Sequence, residues 1–167
     1  HLDPTSHDAQ GQDNIYYGFN VNYRDQDGLT VYNQIAVFPK LMEAEFFNAQ
    51  NNTIVTSNTD LLGGGGYSVR ALSDNAYIML AKRDLYNIDS IEFRVSSTPG
   101  CQIEVRADSP TGALLATVSV PGTGGSTRWA NASGSIVDPG GKHDLYFIFR
   151  SAGAINFVDL NYIEFRG

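Results

Sequence analysis

The chain has 167 residues, of which 42% are hydrophobic and 17% are charged, so it is long and apolar enough for one packed domain. Its 18 acidic residues outnumber its 11 basic ones, and the net charge of −7 disfavours binding to a nucleic-acid backbone or to an anionic membrane. Cys101 is the only cysteine, which excludes a disulfide within the chain and a cysteine-rich zinc site.

Residues 1–38 are predicted to form a separable unit, a polar leader followed by a β-hairpin. Strands are expected over residues 16–23 and 29–38, and Asp27-Gly28 between them is a strong hairpin signal. The leader lacks the basic and apolar regions of a signal peptide, and no stretch of the chain approaches the ~20 apolar residues of a membrane span. We expect this unit to be a linker or the tail of a preceding module.

Residues 39–167 are predicted to form an all-β sandwich. Period-two alternation and turn signals recur, and no stretch shows the apolar stripe of a long helix. Residues 91–95 and 103–106 alternate apolar with charged residues, which is typical of strands with one packed and one solvated face. The glycine-rich segment at residues 61–66 is expected to be a flexible loop. The predicted strands of this part cover residues 40–47, 77–81, 89–96, 102–106, 114–120, 128–136, 142–150 and 156–165.

A series of short motifs runs from residue 41 to residue 165. In chain order they are Glu43-Ala44-Glu45-Phe46, Ser73-Asp74-Asn75-Ala76-Tyr77, Gly122-Thr123-Gly124-Gly125 with Trp129, Gly140-Gly141-Lys142-His143-Asp144-Leu145-Tyr146-Phe147, and Asp159-Leu160-Asn161-Tyr162-Ile163-Glu164-Phe165. This order resembles family 6 carbohydrate-binding modules, over roughly three quarters of the chain. The resemblance implies a jelly-roll β-sandwich of two antiparallel sheets.

The resemblance also implies what such a module does. We expect a non-catalytic, monomeric module that binds a polysaccharide, a β-glucan such as laminarin or another plant or algal cell-wall glycan. Its partner in the parent chain would be a catalytic module that it brings to the glycan. The implied location is extracellular, as in secreted bacterial carbohydrate-active enzymes, with no nucleic-acid or membrane partner.

The first sugar cleft of the family lies at a loop edge, where two aromatic side chains hold one sugar ring. Trp129 matches one member of the pair. Ala71 stands where the family has the other, so Tyr67 or Arg70 is expected to lie across from Trp129 instead.

The polar half of this cleft and a second cleft involve three more residues. Asp159 aligns with the hydroxyl-binding asparagine of the family and can accept hydrogen bonds from sugar hydroxyls, and Asn156 is a nearby substitute. Tyr77 falls where the family often has an aromatic platform on a sheet face, although a half-buried strand tyrosine is an equally ordinary interpretation. The sheet face is expected to bind sugar if the loop edge is blocked.

A structural calcium ion is the cofactor that the resemblance implies. Glu43 and Glu45 are two residues apart in a predicted strand, so both carboxylates would project to the same face and could hold one hard cation. The family places a third ligand where Asn161 stands. In isolation, two acidic residues at this spacing more often belong to a solvated strand face.

Two other classes of protein remain open at this point. An enzyme would need paired carboxylates or a nucleophile with a histidine, but His1 and His7 lie in the leader and His143 lies in a predicted strand. A structural or protein-interaction sandwich would share the fold and the calcium ion, and Ala71 favours it because a degenerate cleft would bind no sugar. An open groove beside Trp129 would instead favour a binding module.

Overall fold

The structure is a computed structural model that describes residues 17–60, 62 and 66–167. Almost all regular structure in these ranges is antiparallel β, with one 3₁₀ turn at Ala44–Phe46 and no helix long and apolar enough to cross a membrane. In chain order the strands are β1 (Tyr17–Arg24), β2 (Thr30–Val37), β3 (Leu41–Glu43), β4 (Ala49–Asn51), β5 (Thr53–Ser57), β6 (Tyr67–Ala71), β7 (Tyr77–Asp84), β8 (Ser90–Ser96), β9 (Cys101–Ala107), β10 (Leu114–Val120), β11 (Ala130–Ser135), β12 (Lys142–Arg150) and β13 (Val158–Arg166).

Two sheets enclose the hydrophobic core. One has the strand order β10-β9-β12-β7-β4, and the other has the order β11-β8-β13-β6-β5 with β3 paired to β13. Phe93 of β8 and Phe147 of β12 meet edge to face across the core, with ring centroids 6.0 Å apart and an interplanar angle of 86°. Both side chains are fully buried. The predicted all-β sandwich of two antiparallel sheets is therefore confirmed.

Alternation along the strands separates the core from the outer faces. In β8, Ile91, Phe93 and Val95 are fully buried, whereas Glu92 and Arg94 carry ion pairs on the outer face. This is the pattern expected for a strand whose two faces meet different environments. A strand residue of either sheet that binds a ligand must therefore be one whose side chain projects to the outer face.

The predicted strand over residues 40–47 is wrong after Glu43. The chain leaves β3 there and makes the 3₁₀ turn, which buries Ala44 and Phe46 in the interior. Glu45 therefore does not share a strand face with Glu43 by alternation. Short apolar runs of this kind do not distinguish strand from turn by periodicity alone.

Strands β4, β5 and β6 are absent from the sequence prediction. Tyr67 consequently opens strand β6 instead of lying in a loop. Pairing with β5 and β13 stabilises β6, and β13 is distant in sequence, so local propensity gives little sign of β6. Most of the predicted glycine-rich loop, residues 61 and 63–65, lies outside the described residues.

Strands β1 and β2 pair in a separate two-stranded sheet, so the predicted hairpin is present. Its turn is closed by the Leu29 N–H, which donates to Asp25 Oδ1 at 2.7 Å, and Gly28 takes the left-handed conformation at φ +88°. That conformation suits glycine, which lacks the Cβ that would be strained there. The division of the chain at residue 38 remains a prediction.

Candidate functional site

Trp129 lies at one end of the six-stranded sheet. It directly precedes β11, one position beyond the last β11–β8 pair, which places it beside Ser96. The Ser96 hydroxyl donates to the Gly125 carbonyl at 3.1 Å and ties the loop before Trp129 to the sheet. The indole is half-buried, and its Nε1 is a buried atom without a hydrogen-bond partner. Trp129 therefore offers only part of its ring to a ligand.

No second aromatic wall stands at the family position. Ala71 is fully buried, between Val158 and Thr53 in the sheet. The guanidinium of Arg70 is held by Asp159, with Nε to Oδ1 at 2.6 Å and Nη2 to Oδ2 at 2.8 Å. Asp159 is only 5% exposed. This corrects the expectation of an open carboxylate, because both oxygens of Asp159 already accept hydrogen bonds from Arg70.

The two remaining loop-edge candidates are separated. Tyr67 is three residues from Arg70 along β6, so the two side chains project to opposite faces of the sheet, and Tyr67 pairs with Ser57 of β5. Asn156 is exposed just before β13, and its N–H donates to the Leu72 carbonyl at 3.3 Å. Asn156 thus lies at the same end of the sheet as Trp129, and its contact with sugar remains a prediction.

Tyr77 belongs to a pair of aromatic residues on the outer face of the five-stranded sheet. Its ring lies 5.3 Å from that of Tyr146, at an interplanar angle of 63°. The β12–β7 register aligns Tyr77 with Ile148 and Met79 with Tyr146, so the two rings sit diagonally on adjacent strands. Both side chains are half-buried. Sequence reasoning missed Tyr146, although Leu145 and its alternate neighbours in β12 are core residues and leave Tyr146 outward.

Charged groups border the two tyrosines. Glu104 accepts hydrogen bonds from Arg106 Nε at 2.8 Å and from Arg150 Nη2 at 3.0 Å. Burial alone would raise the pKa of Glu104, but the hydrogen bonds from Arg150 and Arg106 outweigh it and lower that pKa. The strand register puts Arg106 opposite Tyr146 and Glu104 opposite Ile148. Sequence reasoning also missed Glu104 and Arg106 as site residues.

The same face ends in an open depression of about 540 Å³. Its lining includes Gln102, Glu104 and Arg150, with Asp74 on the loop beside them. Asp74 Oδ1 accepts from the Ser151 N–H at 2.9 Å, which fixes the rim. Rings, a charged network and a depression therefore form one continuous surface.

Glu43 and Glu45 form an acidic cluster beside the six-stranded sheet. Burial, then the nearby carboxylates of Glu45 and Asp60, raise the pKa of Glu43 from 4.5 to about 8. Burial also raises the pKa of Glu45, from 4.5 to about 7. Glu43 Oε2 is buried and makes no hydrogen bond. Such a cluster is unfavourable when ionised unless a cation compensates it.

Asn161 connects this cluster to a neighbouring loop. Its Nδ2 donates to Asp60 Oδ2 and to the Leu62 carbonyl, both at 2.9 Å, and its Oδ1 accepts from Asn58 Nδ2 at 3.3 Å. Asp60 also makes a two-point ion pair with Arg94, at 2.8 and 3.0 Å. These contacts occupy Asn161 and Asp60, and no signal in the sequence pointed to Asp60.

Carboxylates alone would supply only part of the oxygen ligands that a hard cation needs at this cluster. Among residues 17–60, 62 and 66–167, no three His, Cys, Asp or Glu side chains form a metal-binding group. Glu43 and Glu45 supply buried anionic oxygens, and amide or carbonyl oxygens would complete the shell. Calcium accepts such mixed oxygen ligands.

Comparison with known proteins gives a consistent result. The family model described as "Carbohydrate binding module (family 6)" matches residues 43–167. A β-1,3-glucan-binding module of this family from Bacillus halodurans matches at 31% identity and a TM-score of 0.68, covering 77% of this chain and 96% of that one.

A second group of matches comes from larger enzymes. The arabinoxylan arabinofuranohydrolase of Bacillus subtilis is 28% identical over 99% of this chain and 31% of its own length. A crystal structure of a glycoside hydrolase family 43 arabinoxylan arabinofuranohydrolase from Bacillus subtilis, in complex with cellotetraose, matches at 27% identity and a TM-score of 0.74, covering 88% of this chain and 33% of that one. The chain spans less than a third of the length of the curated relatives that it matches.

Proposed function

The chain belongs to family 6 of the carbohydrate-binding modules, which are non-catalytic, and we propose that it binds a neutral β-linked glycan on the outer face of its five-stranded sheet. The observation that carries this proposal is the Tyr77–Tyr146 pair, 5.3 Å apart beside the Glu104 network. Sugar rings present apolar C–H faces and hydroxyl edges, so they favour surfaces that combine aromatic rings with fixed polar groups.

The polar contacts on this face suit hydroxyl recognition. Glu104 is held by two arginines, so its carboxylate is in place before a ligand arrives. Arg150 and Arg106 keep further N–H groups that can donate to sugar oxygens. A preformed network loses little conformational freedom on binding, which supports a site at this position.

The loop edge supports binding less well. Ala71 supplies no ring, and Asp159 is engaged by Arg70. Trp129 and the exposed Asn156 remain as a smaller second candidate at that edge. A sugar stacked there would meet one aromatic face instead of two.

We take β-1,3-glucan, with laminarin as its test substance, as the first candidate glycan. A relative that covers most of this chain is described as binding that polymer. The net charge of −7 favours a neutral chain. Arabinoxylan is the second candidate, because the relatives that continue into larger enzymes are described as acting on it.

Calcium has a structural role in this proposal. Glu43 and Glu45 would hold the ion, and Asn161 with Asp60 would fix the neighbouring loop beside it. The ion would neutralise two buried carboxylates and join the 3₁₀ turn to the sheet.

We also propose that the module is secreted and brings an attached glycoside hydrolase to its polysaccharide. One sugar site of this size gives modest affinity, with a dissociation constant of roughly 10⁻⁵–10⁻³ M on affinity arithmetic. Attachment compensates, because it raises the local concentration of the enzyme at the polymer.

The test is calorimetric titration with laminarin, mixed-linkage glucan, xylan and agarose. The wild-type chain, Tyr77→Ala and Trp129→Ala are compared. Binding that is lost in Tyr77→Ala and kept in Trp129→Ala supports the sheet face. The reverse pattern moves the site to the loop edge, and no binding to any glycan supports a structural or protein-interaction sandwich.

A further inference from the structure

The β1–β2 hairpin presents one apolar face to solvent. Phe19, Val21 and Tyr23 lie at alternate positions of β1, so their side chains project from the same face. Val31 pairs with Tyr23, and Val37 lies at the matching alternate position of β2, so both share that face. These five apolar side chains are 57%, 54%, 65%, 53% and 45% exposed, respectively. Asn33, opposite Val21, is an exposed polar residue on the same face.

The opposite face of the hairpin is mostly polar. Asn20, Asn22 and Arg24 lie on it in β1, with Thr30 opposite Arg24 in β2. Tyr32, 76% exposed, is the exception. The hairpin is therefore amphipathic, which is the pattern of a strand pair that packs one face on something.

The sandwich does not cover this apolar face. None of the described side chains between residues 17 and 37 belongs to the buried core. A two-stranded hairpin is marginally stable by itself in water, and an apolar patch exposed over neighbouring residues usually marks an interface. The face therefore needs a partner.

The apolar surface continues onto the sandwich at its edge. Val37 leads into a groove of about 340 Å³ whose apolar lining includes Leu85, Ile88 and Phe165. Phe38 packs against the guanidinium of Arg83, which lies 3.6 Å from the ring centroid and is only 3% exposed. A partner that packs on the apolar face of the hairpin would therefore also contact the sandwich.

The matches to known proteins indicate which partner covers the apolar face of the hairpin. The family match begins at residue 43, after the hairpin, and the single glucan-binding module covers 77% of the chain. The match to the arabinoxylan enzyme covers 99% of the chain and therefore includes the hairpin, and that enzyme is about three times as long as the matched segment. The residues of the hairpin are thus included in the match to the enzyme but not in the match to the family model.

We propose that the apolar face of β1 and β2 packs on the catalytic glycoside hydrolase module of the same polypeptide and fixes the orientation of the two modules. The hairpin is then an interface element instead of a flexible linker. This inference rests on the proposed attachment to such an enzyme, but it does not depend on which glycan the module binds.

The test compares backbone hydrogen exchange of β1 and β2 in chain 1–167 and in the full-length polypeptide. We expect fast exchange in chain 1–167 and exchange slowed at least tenfold in the full-length protein. In the full-length protein, the triple variant Val21→Ser, Tyr23→Ser, Val31→Ser should restore fast exchange and increase the radius of gyration in small-angle scattering.

The matched control is Asn20→Ser with Asn22→Ser, on the polar face of the same strand, and it should leave exchange and scattering unchanged. Equally fast exchange in both wild-type proteins would overturn the proposal. Exchange in chain 1–167 that becomes slower as the protein concentration rises would also overturn it, since a second copy would then cover the face. Failure of chain 1–167 to bind any glycan would count against the proposed function and leave this result unaffected.

Discussion

Arg70 and Asp159 face each other across β6 and β13 and form a two-point ion pair, with N–O distances of 2.6 and 2.8 Å. Bidentate pairing of this kind fixes both side chains in one geometry. The side chain of Asp159 is 7% exposed, whereas that of Arg70 is 33% exposed. The pair therefore links two interior strands of the six-stranded sheet and removes a polar group from the loop-edge site.

Replacing Asp159 with asparagine should lower stability more than it lowers glycan affinity. Arg70 would lose its charged partner, and the expected loss is about 1–3 kcal/mol in the free energy of unfolding, less than for a fully buried pair because Arg70 is partly solvated. Urea unfolding measures it. Glu164→Gln, in the exposed pair with Arg166, is the control and should cost under about 0.5 kcal/mol. Loss of laminarin binding in Asp159→Asn would show that this carboxylate contacts sugar.

Replacing Tyr146 with alanine should weaken binding at the proposed sheet-face site. The mutation removes one ring of the pair and exposes one edge of Tyr77, and about 1 kcal/mol of lost aromatic contact corresponds to a roughly fivefold weaker dissociation constant. Calorimetry with laminarin gives the value. Tyr86→Ala is the matched control, since Tyr86 is 76% exposed and lies in the turn after β7, at the opposite end of that strand from Tyr77. Equal affinities for both variants would argue against the sheet face.

Replacing Glu104 with glutamine should also reduce affinity, by about 1 kcal/mol for a charge-assisted hydrogen bond. Arg106 and Arg150 would lose their shared anionic acceptor and their fixed positions. The control is Glu92→Gln, which removes a comparable carboxylate that pairs with Arg166 on the other sheet. Affinity electrophoresis in laminarin gels distinguishes the two, and an unchanged migration of Glu104→Gln would contradict the assignment.

Stability without calcium should fall as pH rises from 5 to 8. The pKa of Glu43 is about 8 in the folded chain against 4.5 ordinarily, so the folded state holds a proton that the unfolded state has released. A group whose pKa is raised in the folded state contributes its full stabilisation when the pH is below its pKa in the unfolded state. That stabilisation is lost as the pH rises through its pKa in the folded state. Glu45, with a pKa of about 7, acts in the same direction. Thermal unfolding in a chelator should show the decline.

Calcium should reverse this decline, because it binds the ionised carboxylates. Added calcium is expected to raise the melting temperature by several degrees at pH 8 and by much less at pH 5. Glu43→Gln should reduce both the pH dependence and the calcium response. His143 has a raised pKa from its hydrogen bond to Asp108 and contributes in the same direction, so some pH dependence should survive in this variant. An undiminished calcium response in Glu43→Gln would place the ion elsewhere.

Much of the fold follows from local patterns. Alternation predicted strands such as β8 and β9, and Asp27-Gly28 predicted the hairpin turn, because these signals depend on neighbours in the chain. The 3₁₀ turn after Glu43 and the strands β4 to β6 escaped prediction. Their stability comes from burial of Ala44 and Phe46 and from pairing with β7 and β13, which no short window of sequence contains.

The sequence by itself determined the all-β class, the family resemblance, the positions of Trp129 and Tyr77, and the acidic pair at the start of the module. Only the tertiary structure decided how these groups are used. In the folded chain Asp159 pairs with Arg70, Tyr146 lies beside Tyr77, and the carboxylate of Asp60 lies near enough to Glu43 to raise its pKa. Residue type and spacing report which groups are present, but their partners come from strand register and long-range packing, and these partners decide whether a charge or a ring is open to a ligand.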